Sequence, residues 1–419
     1  MKTKLKIRNT DFYINDEITY SEIHDCNYKG LLLNARFVQG VFDDKANPDF
    51  YNRFGKKFDP DTNVEELIES LDEWYESGLR AFTLGIQGGG PCFSFNDTQL
   101  SKMRNNPFSS DGKTIDMEYL KRLKRVLNSA DEKGMVVILS LFYAFQSNYL
   151  SDDNSVLEAT KTICTWLREQ EYKNIIIEIA NEHDIKGYNQ KIFTQEHGIV
   201  RLIEAAQEAS GGMYVGCSGT GGYFSEIIAE ASDVVIIHGN GTSRNRLYNL
   251  LKLAKNSQPR KPILINEDSQ ALSQLPVCLR EHVSWGYYNN MTKQEPPINW
   301  GITKGEDQFF ALRMKEALTG EMLTLPIEDQ FYLQGLERNN HIGNKRFIRL
   351  ASLYPEKINY VEFYRDDVLV ERAYDDPFMI NFHNNWRQKP VFDVKAGENW
   401  KAKVYLSDGT QLIKEVTVE

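Results

Sequence analysis

Hydrophobic and polar positions along residues 31–320 alternate between short continuous apolar runs and segments with a period of three to four. Runs rich in Val, Ile and Leu are typical of strands buried on both faces, and the longer period is typical of amphipathic helices. This pattern predicts strands over 31–38, 80–86, 135–142, 174–180, 213–217, 233–238, 262–266 and 282–287. It predicts helices over 63–77, 115–133, 155–170, 192–210, 222–231, 243–256, 269–280 and 305–318.

Eight strand–helix units of this size predict an α/β fold of the (β/α)8 TIM barrel type. The competing architecture is a doubly wound open sheet, which needs a glycine-rich phosphate-binding turn after its first strand. The segment that follows here, Asn34-Ala35-Arg36-Phe37-Val38-Gln39-Gly40, is not such a turn. The barrel is therefore the favoured fold.

The two ends of the chain follow a period of two instead. Residues 4–29 alternate around Asn15-Asp16, which predicts an N-terminal β-hairpin. After about residue 322, alternating segments and turn signals such as Ser407-Asp408-Gly409 predict a small C-terminal all-β sandwich of the immunoglobulin-like kind. We therefore expect one domain over 1–322 and a second over 323–419. The second domain either braces the barrel or binds glycan, and its acidic loops favour bracing.

Two of the predicted strands end in the same dipeptide. The fourth strand is an isoleucine-rich run that ends in Asn181-Glu182, and the seventh ends in Asn266-Glu267. Charge at the carboxyl end of a buried parallel strand costs folding free energy unless it is paired, so it is typical of functional sites. Strands four and seven stand on different sides of an eight-stranded barrel, so the two glutamates can face each other across its mouth. Glu178 shares the face of Glu182 and lies deeper.

Two facing carboxyl groups are what glycoside hydrolysis by double displacement requires, one as acid and one as nucleophile, about 5–5.5 Å apart. The Asn-Glu that ends strand four and the Glu that closes strand seven resemble the clan of (β/α)8 retaining glycoside hydrolases that includes the family 5 cellulases. The resemblance implies that Glu182 is the acid/base and Glu267 the nucleophile. It also implies that Asn181 binds the sugar 2-hydroxyl group.

Other positions match the clan more loosely. His238 closes strand six, where members of the clan often place a substrate-binding histidine, and Trp285 or Tyr287 falls where they place an aromatic sugar platform. Two positions depart from the pattern: His183 replaces the usual proline, and Gln87 stands where an arginine is usual.

Arginine is needed near the nucleophile, because a buried carboxylate stays ionised only beside a cation or hydrogen-bond donors. Arg36 and Arg80 are the alternatives for this role, and Arg36 is favoured because it follows a buried apolar run. Glu178 is interpreted as a buried structural partner of such an arginine. The acid Glu182 is expected to have a raised pKa, caused by partial burial and by the neighbouring nucleophile.

Aromatic residues collect at strand ends and in two long loops, 87–114 and 288–304. Sugar rings pack their C–H faces on aromatic rings, so this clustering favours a carbohydrate cleft. Tyr143, after strand three, and Trp300, in the second loop, are further candidates for substrate binding.

Composition and charge exclude several other classes. The net charge of −10 argues against nucleic acid as a partner. The sequence contains no apolar run of about 18 residues, so no membrane span is predicted. The five cysteines are scattered and His183 and His238 form no ligand pair, so we expect isolated thiols and no metal. The N-terminus lacks an apolar signal core, which predicts a cytoplasmic chain, or a secreted or periplasmic one if a signal was removed.

Together these features predict a retaining β-glycoside hydrolase that cleaves β-linked polysaccharide or oligosaccharide without a cofactor. Two alternatives remain open at this point: a carbohydrate-binding barrel without turnover, and a metal-dependent barrel lyase or isomerase. The fold alone does not separate them, because barrels carry many chemistries.

Overall fold

A computed structural model describes the 419-residue chain except residues 53–54, 90–101, 338–340, 343–344 and 383–391, and describes only the backbone of 341–342, 345–346 and 392. Its strands are β1 (Leu5–Arg8), β2 (Asp11–Ile14), β3 (Glu17–Ile18), β4 (Asn34–Arg36), β5 (Ala81–Gly85), β6 (Val136–Phe142), β7 (Ile175–Ala180), β8 (Tyr214–Gly216), β9 (Val235–His238), β10 (Ile263–Glu267), β11 (Gly286–Tyr287), β12 (Phe331–Gln334), β13 (His341–Ile342), β14 (Lys345–Arg346), β15 (Arg349–Ser352), β16 (Ile358–Arg365), β17 (Val368–Ala373), β18 (Phe392–Asp393), β19 (Asn399–Leu406) and β20 (Gln411–Thr417). Its α-helices are α1 (Pro60–Glu76), α2 (Met117–Lys133), α3 (Asp153–Glu169), α4 (Lys191–Thr194), α5 (Glu196–Ser210), α6 (Glu226–Ala231), α7 (Arg244–Ser257), α8 (Leu275–Arg280) and α9 (Glu306–Thr319). Short 3-10 helices span Pro48–Tyr51, Ser147–Tyr149, Leu272–Gln274, Ile327–Gln330 and Pro355–Lys357.

Parallel strands form the first part of the chain, as the strand–helix alternation predicts. A six-stranded parallel sheet has the order β11-β4-β5-β6-β7-β8, and β9 pairs with β10 in a second parallel sheet. Single contacts run between the two sheets: Ile265 N donates to Ser284 O at 2.9 Å, and Asp233 N donates to Val215 O at 2.7 Å. This mixed α/β fold carries all the strands whose ends were singled out above.

Both faces of the parallel strands are buried, which explains their continuous apolar runs. In β7, Ile175 and Ile177 belong to the larger hydrophobic cluster, which includes buried residues of the helices, such as Leu202 of α5. Ile176, between them, belongs to a smaller cluster formed by residues of several strands. Because side chains alternate along a strand, Glu178 points to the same side as Ile176.

Helix ends lie close to the predicted positions, and the differences have local causes. α1 begins at Pro60, three residues before the predicted start, because Asp59 caps it by accepting from Thr62 N at 2.8 Å and proline fits the first helical position. The predicted helix 269–280 is instead a 3-10 turn followed by the short α8. None of the helices in the described residues is both long and apolar enough to cross a membrane.

The N-terminal segment forms a three-stranded antiparallel sheet, in the order β1-β2-β3, where a hairpin was predicted. The turn at Asn15-Asp16 lies where it was expected, with φ values of 53° and 69°. A second turn at Asn9, whose φ is 55°, adds the extra strand. Asn and Asp tolerate this left-handed conformation better than most residues.

The C-terminal part consists of antiparallel sheets, the largest in the order β17-β16-β19-β20. Alternate residues of β16 and β19, including Val361 and Trp400, point into a hydrophobic cluster separate from that of the parallel sheets. Buried polar contacts join the two parts: the Arg349 guanidinium pairs with Glu306 at the start of α9. The immunoglobulin-like topology and the boundary at residue 322 stay predictions.

The cysteines that the structure describes are buried free thiols, at positions 26, 164, 217 and 278. Burial raises the pKa of the Cys164 thiol to about 12, so this residue stays a neutral apolar group at ordinary pH. Cys92 lies outside the described residues.

Candidate active site

The two predicted glutamates lie at the carboxyl ends of β7 and β10. Glu182 follows β7 with a φ of 50°, an uncommon conformation for a residue with a side chain. Its backbone N–H donates to Ser218 Oγ at 3.1 Å, which holds this turn in place. Glu267 is the last residue of β10, where the register with β9 shifts between Ile265 and Glu267.

The carboxylates of Glu182 and Glu267 approach each other closely. One ligand atom from each, together with one ring nitrogen of His238, lie within 4.8 Å of one another. Each glutamate is 8% exposed, so a small molecule can reach the pair while most of its surface is covered. Asn240 bridges the two: its Nδ2 donates to Glu267 Oε1 at 3.1 Å and to Glu182 Oε1 at 3.4 Å.

Arg36, at the end of β4, lies beside Glu267. Its Nε is 2.8 Å from Glu267 Oε2, and its Nη2 donates to the side-chain oxygen of Asn181. Both residues of this ion pair are almost fully buried, so the attraction between them is weakly screened. The alternative arginine, Arg80, instead pairs with Glu22 at 2.6 Å.

His238 lies beneath the carboxylate pair and is fully buried. Its Nδ1 is 3.2 Å from Glu182 Oε1 and 3.6 Å from Glu267 Oε2, and its Nε2 is 3.5 Å from Glu178 Oε1. Burial lowers the pKa of His238, but the three surrounding carboxylates outweigh burial and raise it to about 10. The ring therefore acts as a buried cation, and it contacts the carboxylates rather than an open cleft.

Glu178 completes this charge cluster from below. Burial raises its pKa, but hydrogen bonds from His238 and Ser218 and the charges of His238 and Arg36 lower it to about 2. Ser218 Oγ donates to Glu178 Oε1 at 2.6 Å. Glu178 thus has a close ionic contact with His238 at 3.5 Å, and its role as the structural partner of Arg36 stays a prediction.

Opposing effects act on Glu267. Burial raises the pKa of its carboxyl group, the positive charges of Arg36 and His238 lower it, and the negative charge of Glu182 raises it again. The net direction is upward, so this group gives up its proton above the usual carboxyl range.

The aromatic residues predicted on strand eight have buried side chains. Trp285 is 0% exposed and its Nε1 donates to Asp268 Oδ2 at 2.7 Å, and Tyr287 is stacked on Phe310 at a ring distance of 4.4 Å. These are corrections to the predicted sugar platform, because neither ring presents a face to a substrate. The alternation of side chains along β11 explains the difference. Gly286 faces Asn34, so the side chains of its neighbours Trp285 and Tyr287 point to the opposite side.

Tyr288 is the next aromatic residue on the side of Gly286, and its ring lies 5.6 Å from the Arg36 guanidinium. A Cβ atom placed on Gly89 would lie 3.9 Å from both the Tyr288 hydroxyl and the ring of Tyr143. The predicted residue Tyr143 is therefore near the site, half-buried, with Tyr288 beside it.

Trp300, the other predicted aromatic, is 1% exposed. Its Nε1 donates to Asn63 Oδ1 at 3.0 Å, and its ring lies 5.6 Å from that of Phe37. This is a second correction, because Trp300 packs the loop after β11 onto α1, and the cavity that it helps to line includes neither Glu182 nor Glu267. Part of the other long loop, with Phe93 and Phe95, lies outside the described residues.

Asn240, Tyr288 and Ser218 are site residues that the sequence reasoning did not assign. Asn240 stands two positions after His238, the last residue of β9, and this closeness in the sequence is a usable signal. The contact of Ser218 with both Glu178 and the backbone of Glu182 depends on the three-dimensional fold and has no local signal.

Comparison with known proteins bears on the fold. No protein-family model matches the chain, and no curated protein matches it. A candidate glycoside hydrolase of known structure from Bacteroides vulgatus ATCC 8482 is similar with a TM-score of 0.51 and 12% identity, over 99% of this chain and 83% of that chain. At this identity the likeness shows a shared fold.

Two further structures are similar at lower scores. One is a glycosyl hydrolase family 2 member from Bacteroides cellulosilyticus DSM 14838, with a TM-score of 0.46 and 13% identity over 99% of this chain and 48% of that chain. The other is a family 5 xyloglucan-specific endo-β-1,4-glucanase from a metagenomic library, with a TM-score of 0.47 and 13% identity over 72% of this chain and 99% of that chain. This chain thus spans about half the length of the family 2 member.

Proposed function

We propose that this chain is a retaining β-glycoside hydrolase, and that its two parallel sheets form one (β/α)8 barrel with Glu182 and Glu267 at its mouth. The observation that carries the proposal is the approach of the two carboxylates, whose oxygens lie within 4.8 Å of each other. Retaining enzymes need about 5–5.5 Å between their carboxyl groups, whereas inverting enzymes need about 6.5–9.5 Å to admit a water molecule. The short separation favours direct attack on the sugar.

Glu182 and Glu267 divide the chemistry between them. In the first step Glu182 donates its proton to the glycosidic oxygen while a Glu267 oxygen bonds to the anomeric carbon, and the bond from that carbon to the leaving group breaks. In the second step Glu182 takes a proton from water, the water oxygen bonds to the anomeric carbon, and the bond to Glu267 breaks. The pair carries one proton before the first step, none in the glycosyl-enzyme, and one again after the second step.

The surroundings support this division of roles. Glu267 has a full ion pair with Arg36 at 2.8 Å and the shorter hydrogen bond from Asn240, and both contacts stabilise its ionised form. The proposal places the shared proton on Glu182, as an acid requires. Because its pKa is raised, Glu267 takes up a proton at a higher pH than an ordinary carboxyl group does, and this protonation sets the acid limit of activity.

The same cluster also has the geometry of a metal site, because Glu182, His238 and Glu267 each offer a ligand atom within 4.8 Å. A histidine must be neutral to bind a metal ion. The carboxylates raise the pKa of His238 to about 10, so a metal ion would have to displace a proton from its ring at neutral pH. This argument favours the hydrolase over a metal-dependent lyase or isomerase.

The test is hydrolysis of a panel of aryl β-glycosides and β-linked polysaccharides by the Glu182→Gln and Glu267→Gln variants. Each substitution keeps the shape and removes the acid or the nucleophile, so we expect kcat to fall at least about 10³-fold. Glu204→Gln, on the exposed side of α5, is the control and should keep normal turnover. Wild-type turnover in either catalytic variant contradicts the assignment.

A further inference from the structure

A cavity of 520 Å³ lies between the parallel-strand part and the C-terminal sheet. Residues 241–245 and 269–274 form the wall on the side of the parallel strands. Residues 371–379, at the end of β17 and beyond, form most of the opposite wall. The cavity is large enough for two or three sugar rings, because small-molecule sites usually measure about 300–1,000 Å³.

The first wall belongs to the segments that follow β9 and β10, which carry Asn240 and Glu267. Thr242 stands two residues after Asn240, and Ser269 stands two residues after Glu267. The wall is held in place because Thr242 Oγ1 donates to Gly239 O at 2.6 Å and Gln274 Nε2 donates to Thr242 O at 2.6 Å. An extended chain spans at most roughly 3.5 Å per residue, so the cavity begins within reach of an oligosaccharide bound at the carboxylates.

Tyr374 presents an open aromatic face in the second wall. It is 63% exposed, and its ring lies 5.6 Å from that of Tyr360, which in turn stacks on Tyr405 at 4.3 Å. The three rings form a row across the outer face of the sheet, with Tyr374 at its end. The row supports Tyr374 from one side and leaves the other side for a ligand.

Several charged groups in the cavity are already used within the protein. Arg372 pairs with Glu362 at 2.8 Å, and Asp376 Oδ2 accepts from Ser273 N at 3.0 Å. Arg244, Asn245 and Asp375 have exposed side chains that make no hydrogen bond to another described side chain. These three side chains offer both hydrogen-bond donors and acceptors, and their charges nearly balance. A neutral sugar with its hydroxyl groups therefore fits the cavity better than an anionic or a cationic ligand does.

We propose that this cavity is a remote subsite for the same β-linked glycan chain whose bond is cleaved, with Tyr374 as the sugar platform and Arg244 and Asn245 as hydroxyl partners. The inference rests on the proposed function. It assigns the C-terminal sheet a part in substrate binding, in addition to the bracing that the sequence favours. It also makes the substrate a chain of several sugars rather than a disaccharide.

The first experiment measures binding without turnover. Wild type, Tyr374→Ala and Tyr248→Ala are run by affinity electrophoresis through gels containing xyloglucan, mixed-linkage β-glucan, β-mannan or xylan. Tyr248 is a matched control, 40% exposed on α7 and outside the cavity lining. We expect at least one polysaccharide to retard wild type and Tyr248→Ala. Tyr374→Ala should bind that polysaccharide about five- to tenfold more weakly, because one aromatic platform is lost.

The second experiment separates the subsite from the catalytic proposal. For the polysaccharide that retards wild type, KM of Tyr374→Ala should be about five- to tenfold higher than KM of wild type, whereas KM for an aryl β-glycoside should be unchanged. kcat for the polysaccharide should stay within about twofold of wild type. If a polysaccharide retards wild type but wild type does not hydrolyse it, the hydrolase proposal is contradicted and glycan binding at the cavity is still supported. Equal retardation of Tyr374→Ala and wild type, or no retardation by any of the four polysaccharides, overturns the subsite.

Discussion

Replacing Arg36 by glutamine tests how the nucleophile is kept ionised. The substitution removes the only full charge that forms a close ion pair with Glu267 among the described lysine and arginine residues, at 2.8 Å between Nε and Oε2. Glutamine still fills part of the space and can donate one hydrogen bond. The carboxylate then keeps Asn240 and, at 3.6 Å, His238.

The size of the effect follows from the geometry. With the charge centres about 4 Å apart, an effective dielectric constant near 20 gives an interaction of about 4 kcal/mol, which corresponds to about three pKa units. Burial already raises the pKa of Glu267 above its ordinary value, and the loss of Arg36 raises it further. Because Glu267 must be ionised to attack, the acid limb of the pH profile moves to higher pH. We expect kcat/KM to fall about 10²–10³-fold at pH 5 and far less above pH 8.

The assay is kcat/KM for an aryl β-glycoside between pH 4 and pH 9. Arg80→Gln is the matched control, because Arg80 is a similarly buried arginine whose ion pair is with Glu22 rather than with the site. It should lower stability without moving the acid limb. A loss in Arg36→Gln that is equal at every pH, or an acid limb that stays in place, refutes this account of Glu267.

Three further predictions follow from the same cluster and its neighbours. In Glu178→Gln, one of the carboxylates that raise the pKa of His238 to about 10 is gone, so its ring should titrate at lower pH in histidine NMR spectra; an unchanged titration contradicts the charge cluster. Gly286→Ala places a Cβ atom 2.5 Å from both Asn34 Oδ1 and Ile265 O, so urea unfolding should show a loss of about 1–3 kcal/mol, and unchanged stability contradicts the register of β11. Prolonged dialysis against a chelator should leave glycosidase activity unchanged, whereas loss of activity that a divalent ion restores favours the metal-dependent alternative.

The parallel strands could be predicted because burial on both faces leaves an unmistakable composition. Ile175–Ala180 is buried at every position, and its predicted limits differ from the observed ones by one residue. Helix limits were less regular where the cap is unusual, as at Asp59-Pro60. The C-terminal segments were predicted as strands for the opposite reason: β19 alternates strictly between buried and half-buried residues.

The site was predictable only in part. Glu182 and Glu267 could be found because a carboxylate at the end of a buried strand costs folding free energy and is therefore typical of a functional site. Arg36 could be found because a buried guanidinium needs an ionic partner. The aromatic platform could not be assigned, because β11 is two residues long and gives no alternation from which to read its faces. Tyr288 therefore lies near the site, where Trp285 or Tyr287 was expected.

The central claim is that Glu267 attacks the sugar while Glu182 supplies the proton. It is tested most directly by treating the protein with activated 2-deoxy-2-fluoro-β-glycosides, which slow the second step, and locating the label by mass spectrometry of the digested chain. The account predicts one fluorosugar on the peptide that contains Glu267, and no label in the Glu267→Gln variant. A label on Glu182 instead, or hydrolysis of the β-glycoside that first releases the α-anomer, would contradict it.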